Sequence, residues 1–381
     1  MSDPFAAIRP FNDREVRPVI ERLLATPEFL NAMVGLRFGE GARSLGWLLR
    51  PLLRVYLRRQ LRDVHGVGDL QQRVKGYVDK VIEDSTAGLT IEGLEDLDPE
   101  RAHLFISNHR DIAMDPAFTN YALHQRGRDT LRIAIGDNLL TEQWVADVMR
   151  LNKSFVVQRS VNGPRELLAA SRLLSRYIRQ SIQSDEVPVW IAQREGRAKD
   201  GVDRTEPVVI KMLSLSRDKA KEPFGEHIAA LRIVPVAISY ELDPCDGLKA
   251  HELFERETTG AYEKADQEDL ASIGKGIAGN KGRVHISFGT PLGDGFQTPL
   301  QVAQNLDEKI HRAYRLHPVN LWAYRRLHGD AELPVLPVAE GSCSEAAFHG
   351  RIDALAEGEQ RFALASYANA VVSKLGLPEY Q

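Results

Sequence analysis

Residues 102–116 read AHLFISNHRDIAMDP, and how this stretch is parsed decides the fold. Residues 102–107 form a short apolar run with β-type residues, which reads as a strand. Asp115 and Pro116 read as a helix opening, since an aspartate can cap free N–H groups and proline is tolerated at the first helical position. A strand that yields through a polar loop to a helix is half of a βαβ unit.

The same texture recurs downstream. LRIAIG (131–136), SFVVQ (154–158), VPVWIAQ (187–193), IVPVAISY (233–240) and RVHISFG (283–289) are further strand candidates, with helices expected near 116–126, 138–150, 163–184 and 207–218. This alternation predicts an α/β fold: a mixed, largely parallel sheet flanked by helices, with ligands bound at strand ends. The first hundred residues read as helical, with Val16, Val19, Ile20, Leu23 and Leu24 at helical spacing and a second pattern from Leu70 to Ile82. After about residue 296 helical patterns return, separated by the loop-like ELPVLPVAEGSCS. The organisation expected is a helical region over 1–100, a central domain over 101–295 and a helical extension over 296–381.

Composition narrows the function classes. At 381 residues, 43% hydrophobic and 27% charged, the chain can bury a substantial core, so disorder is excluded as a default. A net charge of -4 argues against nucleic acid as the main partner. Only Cys245 and Cys343 are present, with no ligand spacing for a metal and no disulfide framework, which fits a reducing cytoplasm. The N-terminal MSDPFAAIRPFNDREV carries charges where a signal peptide needs an apolar core, and no apolar run is long enough to span a bilayer. Membrane contact is expected to be peripheral, on the cytoplasmic face.

RSLGWLLRPLLRVYLRRQLR (43–62) has six arginines and no acid. Leu45, Trp47, Leu48, Leu52, Leu53, Val55 and Tyr56 alternate with Arg43, Arg50, Arg54, Arg58, Arg59 and Arg62, a mix suited to an anionic membrane interface or to a core-packed helix with solvated arginines. Pro51 is expected to kink or break it.

His109, Arg110 and Asp111 spell the opening of a protein-kinase catalytic loop, but that loop needs an Asn five residues after its Asp, and position 116 is Pro. The glycine string GKGIAG (274–279) lies downstream and leads into a strand, the wrong order for a nucleotide loop, and reads instead as a flexible turn. A histidine at a strand end can act as a general base, with a carboxylate on its other ring nitrogen fixing tautomer and orientation. Asp115 and Asp111 are the two candidate orienters of His109. Arg159 and Arg197 each follow a strand end, where guanidinium groups can converge on phosphate.

SNHRDIAMDP, SFVVQR, EGRAKDG and VPVAISYE occur in the order of the four blocks of the glycerolipid acyltransferases, which acylate glycerol-3-phosphate and lysophosphatidate, and together they cover about residues 103–241. GRVHISFGTPL resembles the strand closing that family's domain. The resemblance implies His109 as general base with Asp115 as partner. It further implies Arg159, Glu195, Gly196 and Arg197 in substrate-phosphate binding, Lys199 at a second basic position, and Pro235 as the centre of the fourth block. Gly196 suits a tight turn or a close approach to an anion, and Pro235 a structural role.

Two departures stand out. Five residues separate His109 from Asp115 where the family has four, which puts Met114 at the usual acidic position, and the third block is one residue short before Arg197. The resemblance implies acyl-CoA or acyl carrier protein as donor, no resident cofactor, and glycerol-3-phosphate or a lysophospholipid as acceptor. Burial of a 16-carbon chain is worth on the order of 12 kcal/mol, so a membrane-docking surface is expected, with residues 43–62 the candidate. The rival classes are an acyl-ester hydrolase, which should carry a GxSxG elbow that the chain lacks, and a non-catalytic lipid-binding member of the fold.

Overall fold

The computed structural model describes residues 3–38, 46–265, 267–329 and 334–377. Among the described residues four helices precede the sheet: α1 (Asp13–Ala25), α2 (Pro27–Phe38), α3 (Gly46–Gln60) and α4 (Val67–Ser85). Then come β1 (Leu89–Glu92), β2 (Leu104–Ser107), α5 (Met114–Gln125), β3 (Arg132–Gly136), α6 (Gln143–Leu151), β4 (Ser154–Val157), α7 (Pro164–Gln183), β5 (Val189–Ala192), α8 (Pro207–Leu213), α9 (Phe224–Ala230) and β6 (Ile233–Tyr240). Two helices, α10 (Asp246–Thr259) and α11 (Glu268–Ala278), separate β6 from β7 (Val284–Phe288). The chain continues through α12 (Pro299–Ala313), α13 (Pro318–His328), α14 (Glu345–Asp353) and α15 (Glu357–Leu375).

The seven strands pair in the order β1-β7-β6-β2-β5-β3-β4. All neighbours are parallel except β6 and β7, so the mixed, largely parallel sheet expected from the sequence is the one found. Both faces are covered, which is why the strands read as unbroken apolar runs. Because side chains alternate along a strand, Leu104 and Ile106 face one core with Leu174, Ile178 and Ile228. Phe105 faces the other with Phe118, Trp190 and Ile238. Six strands match the expected ones; β1, the edge strand, was not expected. It is four residues long and only half buried, too short for periodicity to register, and it starts the sheet at Leu89, ahead of residue 101.

The N-terminal helices close the β4 side. Asn12 and Glu15 form a reciprocal capping box at the start of α1, and Val16, Val19, Ile20, Leu23 and Leu24 pack with Val64 and Leu151. Each such side chain contributes roughly 1.5–3 kcal/mol on burial, which outweighs the cap at about 1 kcal/mol. The last helices are joined to the sheet rather than trailing from it: Tyr314, Val319, Phe348, Tyr367 and Val371 share a core with Ala237 of β6 and Leu242.

α3 buries Leu53 but leaves Trp47 70%, Leu48 53%, Leu52 67%, Val55 69% and Tyr56 57% exposed. Of the kink or break expected at Pro51, a break is not found: the helix continues through it. Pro51 and Trp47 lie on the exposed side, where water can satisfy the carbonyl that loses its donor. Arg43 and Leu45, part of the same sequence pattern, lie outside the described residues. No described helix is long and apolar enough to cross a membrane.

GKGIAG is also corrected. Gly274 and Gly276 sit inside α11, and Gly279 caps it. The reason lies at Gly276, whose missing Cβ would collide with the Asp111 carboxylate. Here glycine serves close packing against the loop after β2, not flexibility.

Candidate active site

The loop after β2 is held from several sides. The Asn108 side chain donates to the Ile238 carbonyl at 3.0 Å and accepts from the Ile238 N–H at 2.8 Å, tying the end of β2 to β6. The backbone N–H of Ala198 donates to the His109 carbonyl at 2.8 Å, which joins this loop to the one after β5. Lys249 of α10, buried, donates to the Arg110 carbonyl at 2.6 Å and pairs with Asp243. Burial alone would raise the Asp243 carboxyl, but Lys249 holds it below its usual range.

His109 Nδ1 lies 2.8 Å from Asp115 Oδ2, and its ring stands edge-on to Trp190 at 5.6 Å. The same carboxylate oxygen accepts from the N–H groups of Arg110 at 2.6 Å and Asp111 at 2.9 Å, while Oδ1 accepts from the Tyr240 hydroxyl at 2.6 Å. Four donors thus converge on one fully buried carboxylate. Burial, then the adjacent Asp115 charge, pushes the Tyr240 hydroxyl well above its ordinary range, so it stays a donor. Its partners make Nδ1 the protonated nitrogen of His109 and leave the Nε2 lone pair free.

Asp111 has another task. Its Oδ1 accepts from the N–H groups of Ala113 at 2.9 Å and Met114 at 2.8 Å, capping the start of α5. The capping role expected of Asp115 therefore belongs to Asp111, and Asp115 lies within the first turn. Ile112 and Ala113 form the turn between Asp111 and α5, and Met114 packs into the core beside Phe118. Burial, and next the Asp115 charge, raises the Asp111 carboxyl.

A cleft of about 720 Å³ opens at the C-terminal edge of the strands, lined by His109, Arg159, Glu195, Gly196, Arg197 and Lys199. Arg159 pairs with Glu195 at 2.8 Å. Arg197 donates from Nη2 to Ser272 Oγ at 3.2 Å, while its Nη1 and the Nε of neighbouring Arg194 are buried without a hydrogen-bond partner among the described residues. Lys199 pairs with buried Glu252, and burial lowers its ammonium. Gly196 has φ +71° with open space where a Cβ would stand, so conformation rather than room calls for glycine. Pro235 lies away from the cleft, in the middle of β6, with its carbonyl accepting from Gly289 N–H at 2.8 Å. Ile133, Ile135, Leu174 and Trp190 add apolar wall.

Sequence reasoning missed Trp190, Arg194, Tyr240 and Lys249. Arg194 and Tyr240 adjoin or end the quoted blocks, so proximity could have marked them. Nothing in the sequence connects Lys249 to the loop at Arg110. Among the described residues no group of three or more His, Cys, Asp or Glu could hold a metal ion.

The sheet thus presents a histidine–carboxylate pair and several guanidinium groups on one cleft, an arrangement suited to general-base chemistry on an anionic substrate. Residues 88–239 match the family model described as Acyltransferase, which marks an acyltransferase domain over that stretch of the chain. No curated protein matches it. Among solved structures, the 1-acyl-sn-glycerophosphate (LPA) acyltransferase PlsC from Thermotoga maritima aligns at 14% identity over 78% of this chain and 94% of that chain, with a TM-score of 0.35.

Proposed function

We propose that this acyltransferase moves a fatty acyl group from an acyl-CoA or acyl carrier protein thioester to a hydroxyl of glycerol-3-phosphate or 1-acylglycerol-3-phosphate. The observation that carries the reading is the His109–Asp115 contact in a cleft that also holds Arg159, Arg194 and Arg197. His109 Nε2 removes the acceptor hydroxyl proton as the oxygen attacks the thioester carbonyl. The C–S bond then breaks, and the proton held on Nε2 passes to the departing thiolate, leaving ester and free thiol. Asp115 stabilises the imidazolium that forms between these steps.

The unpartnered Nη1 of Arg197 and Nε of Arg194 are suited to the acceptor phosphate, because buried donors gain most from an anionic partner. Arg159 joins them on exchanging Glu195 for phosphate. The exposed Trp47, Leu48, Leu52, Val55 and Tyr56 of α3, with Arg54, Arg58 and Arg59 on the same helix, form a surface that lies in an anionic bilayer interface on the cytoplasmic side and gives the cleft access to lipid. A hydrolase reading is disfavoured at Ser107, whose hydroxyl donates to the Asn108 carbonyl at 2.7 Å and accepts from Trp190 Nε1 at 3.1 Å rather than meeting His109.

The test is transfer of labelled palmitate from each donor to each acceptor by wild type and His109→Ala. Turnover with one acceptor that is abolished in the variant supports the mechanism. Equal turnover by the variant would remove His109 as the base, and lipid binding with no turnover would favour a non-catalytic member of the fold.

A further inference from the structure

α7 presents to solvent a face without acids. Arg165, Leu168, Ala169, Arg172 and Arg176 recur at helical spacing there, opposite buried Leu174, Tyr177 and Ile178. Among the described residues none of these three arginine side chains has a hydrogen-bond or ion-pair partner, nor does that of exposed Lys211 on α8, which packs against α7. In a chain of net charge -4, four unpaired cations on adjoining helices make a local field of opposite sign, the kind that steers an acidic partner. Exposed Leu168 and Val208 sit among them at 42% and 61% exposure. The position matters as much as the charge. Leu167, Ala170 and Ser171 of α7, and Val208 and Val209 of α8, line the cleft that holds His109, so the basic face borders its rim.

We propose that this α7–α8 face docks an acyl carrier protein, an acidic protein that delivers its acyl thioester on a flexible phosphopantetheine arm. The arm enters the cleft between α7 and α8 while the carrier's acidic surface meets Arg165, Arg172, Arg176 and Lys211. This deepens the reading of the enzyme as a thioester-dependent acyltransferase and rests on it. A protein is favoured over a bilayer as occupant because the large apolar side chains exposed on α7 and α8 are Leu167, Leu168 and Val208, with no aromatic among them, whereas the interfacial mix of Trp, Tyr and Leu is on α3. Few apolar anchors and several rim cations suit a weak, fast and salt-dependent encounter, as a donor that must leave after each turnover requires.

The full-length protein and the variant Arg165→Glu/Arg172→Glu/Arg176→Glu are compared in two assays. The first is transfer from palmitoyl carrier protein and from palmitoyl-CoA. The second is binding of fluorescent holo-carrier protein, read by anisotropy at low and at physiological salt. The expected result is about a tenfold or greater rise in KM for the carrier-protein donor, loss of salt-dependent holo-carrier binding, and unchanged kcat/KM with palmitoyl-CoA. Unchanged carrier-protein kinetics would overturn the proposal. So would equal losses with both donors, which would assign the arginines to the phosphates of CoA. Wild type that transfers from neither donor would defeat the acyltransferase mechanism instead, and the anisotropy result would then decide docking alone. Loss of binding to phosphatidylglycerol vesicles, with carrier binding intact, would replace the carrier by a membrane.

Discussion

Replacing Asp115 by Asn separates the two carboxylates that compete for the orienting role. Asn keeps an oxygen for the Arg110 and Asp111 N–H groups and an amide that can face the Tyr240 hydroxyl, so the fold should survive. What is lost is negative charge 2.8 Å from His109 Nδ1. Unit charges roughly 4 Å apart at an effective dielectric near 20 interact by about 4 kcal/mol. The imidazolium formed during transfer loses most of that, about 3–4 kcal/mol. At 1.36 kcal/mol per decade, kcat should fall roughly 10²- to 10³-fold. KM for the acceptor should change little, because the phosphate contacts are elsewhere. Asp111→Asn is the control: its amide oxygen can still cap Ala113 and Met114, so kcat should stay near wild type. The assay is steady-state acyl transfer with circular dichroism and thermal melts on all three proteins. Full activity in Asp115→Asn, together with a large loss in Asp111→Asn, would refute the assignment.

Tyr240→Phe removes one charge-assisted hydrogen bond to buried Asp115 and should cost about 1.5–3 kcal/mol of stability; a denaturation midpoint equal to wild type would contradict that. Within α11, Gly276→Ala should destabilise, because its Cβ meets the Asp111 carboxylate, whereas Gly274→Ala, with nothing within 4 Å, should stabilise by about 0.5–1 kcal/mol. Melting temperatures that move together would show that α11 does not press on that loop. Burial, then the Arg232 charge, lowers His103 to about 4, and burial lowers His317 to about 4. Both lie below the unfolded value near 6.5, so the unfolded chain binds protons first and stability should fall as pH drops from about 6.5 towards 4. Urea titrations across that window should steepen for wild type and flatten in His103→Gln and His317→Gln; identical slopes would exclude these histidines as the cause.

The legible parts of this molecule are those set by local patterning. β2 to β7 are apolar because both faces of the sheet are covered, and each could be read from its run of β-type residues. His109, Arg159 and Arg197 could be read from their order relative to strand ends. What the sequence hid depends on distant contacts. β1 is short and gains its place only by pairing with β7. The glycines of α11 look like a turn until Asp111 is seen against Gly276. Asp115 looks like a cap until Asp111 is seen capping instead, and Lys249 reaches the Arg110 carbonyl from 139 positions away.

The β1–β7 pairing also bears on how the chain acquires its shape. Leu89 lies opposite Val284, so during synthesis the first strand must wait for the last before it has a neighbour. Until then β6, all eight residues of which end up buried, has an open edge on that side, the condition under which nascent sheets stick to one another. Closure of so long a loop should make completion of the sheet a late step. Refolding yield should therefore fall with protein concentration, and a chain stalled before Val284 should depend on chaperones to stay in solution.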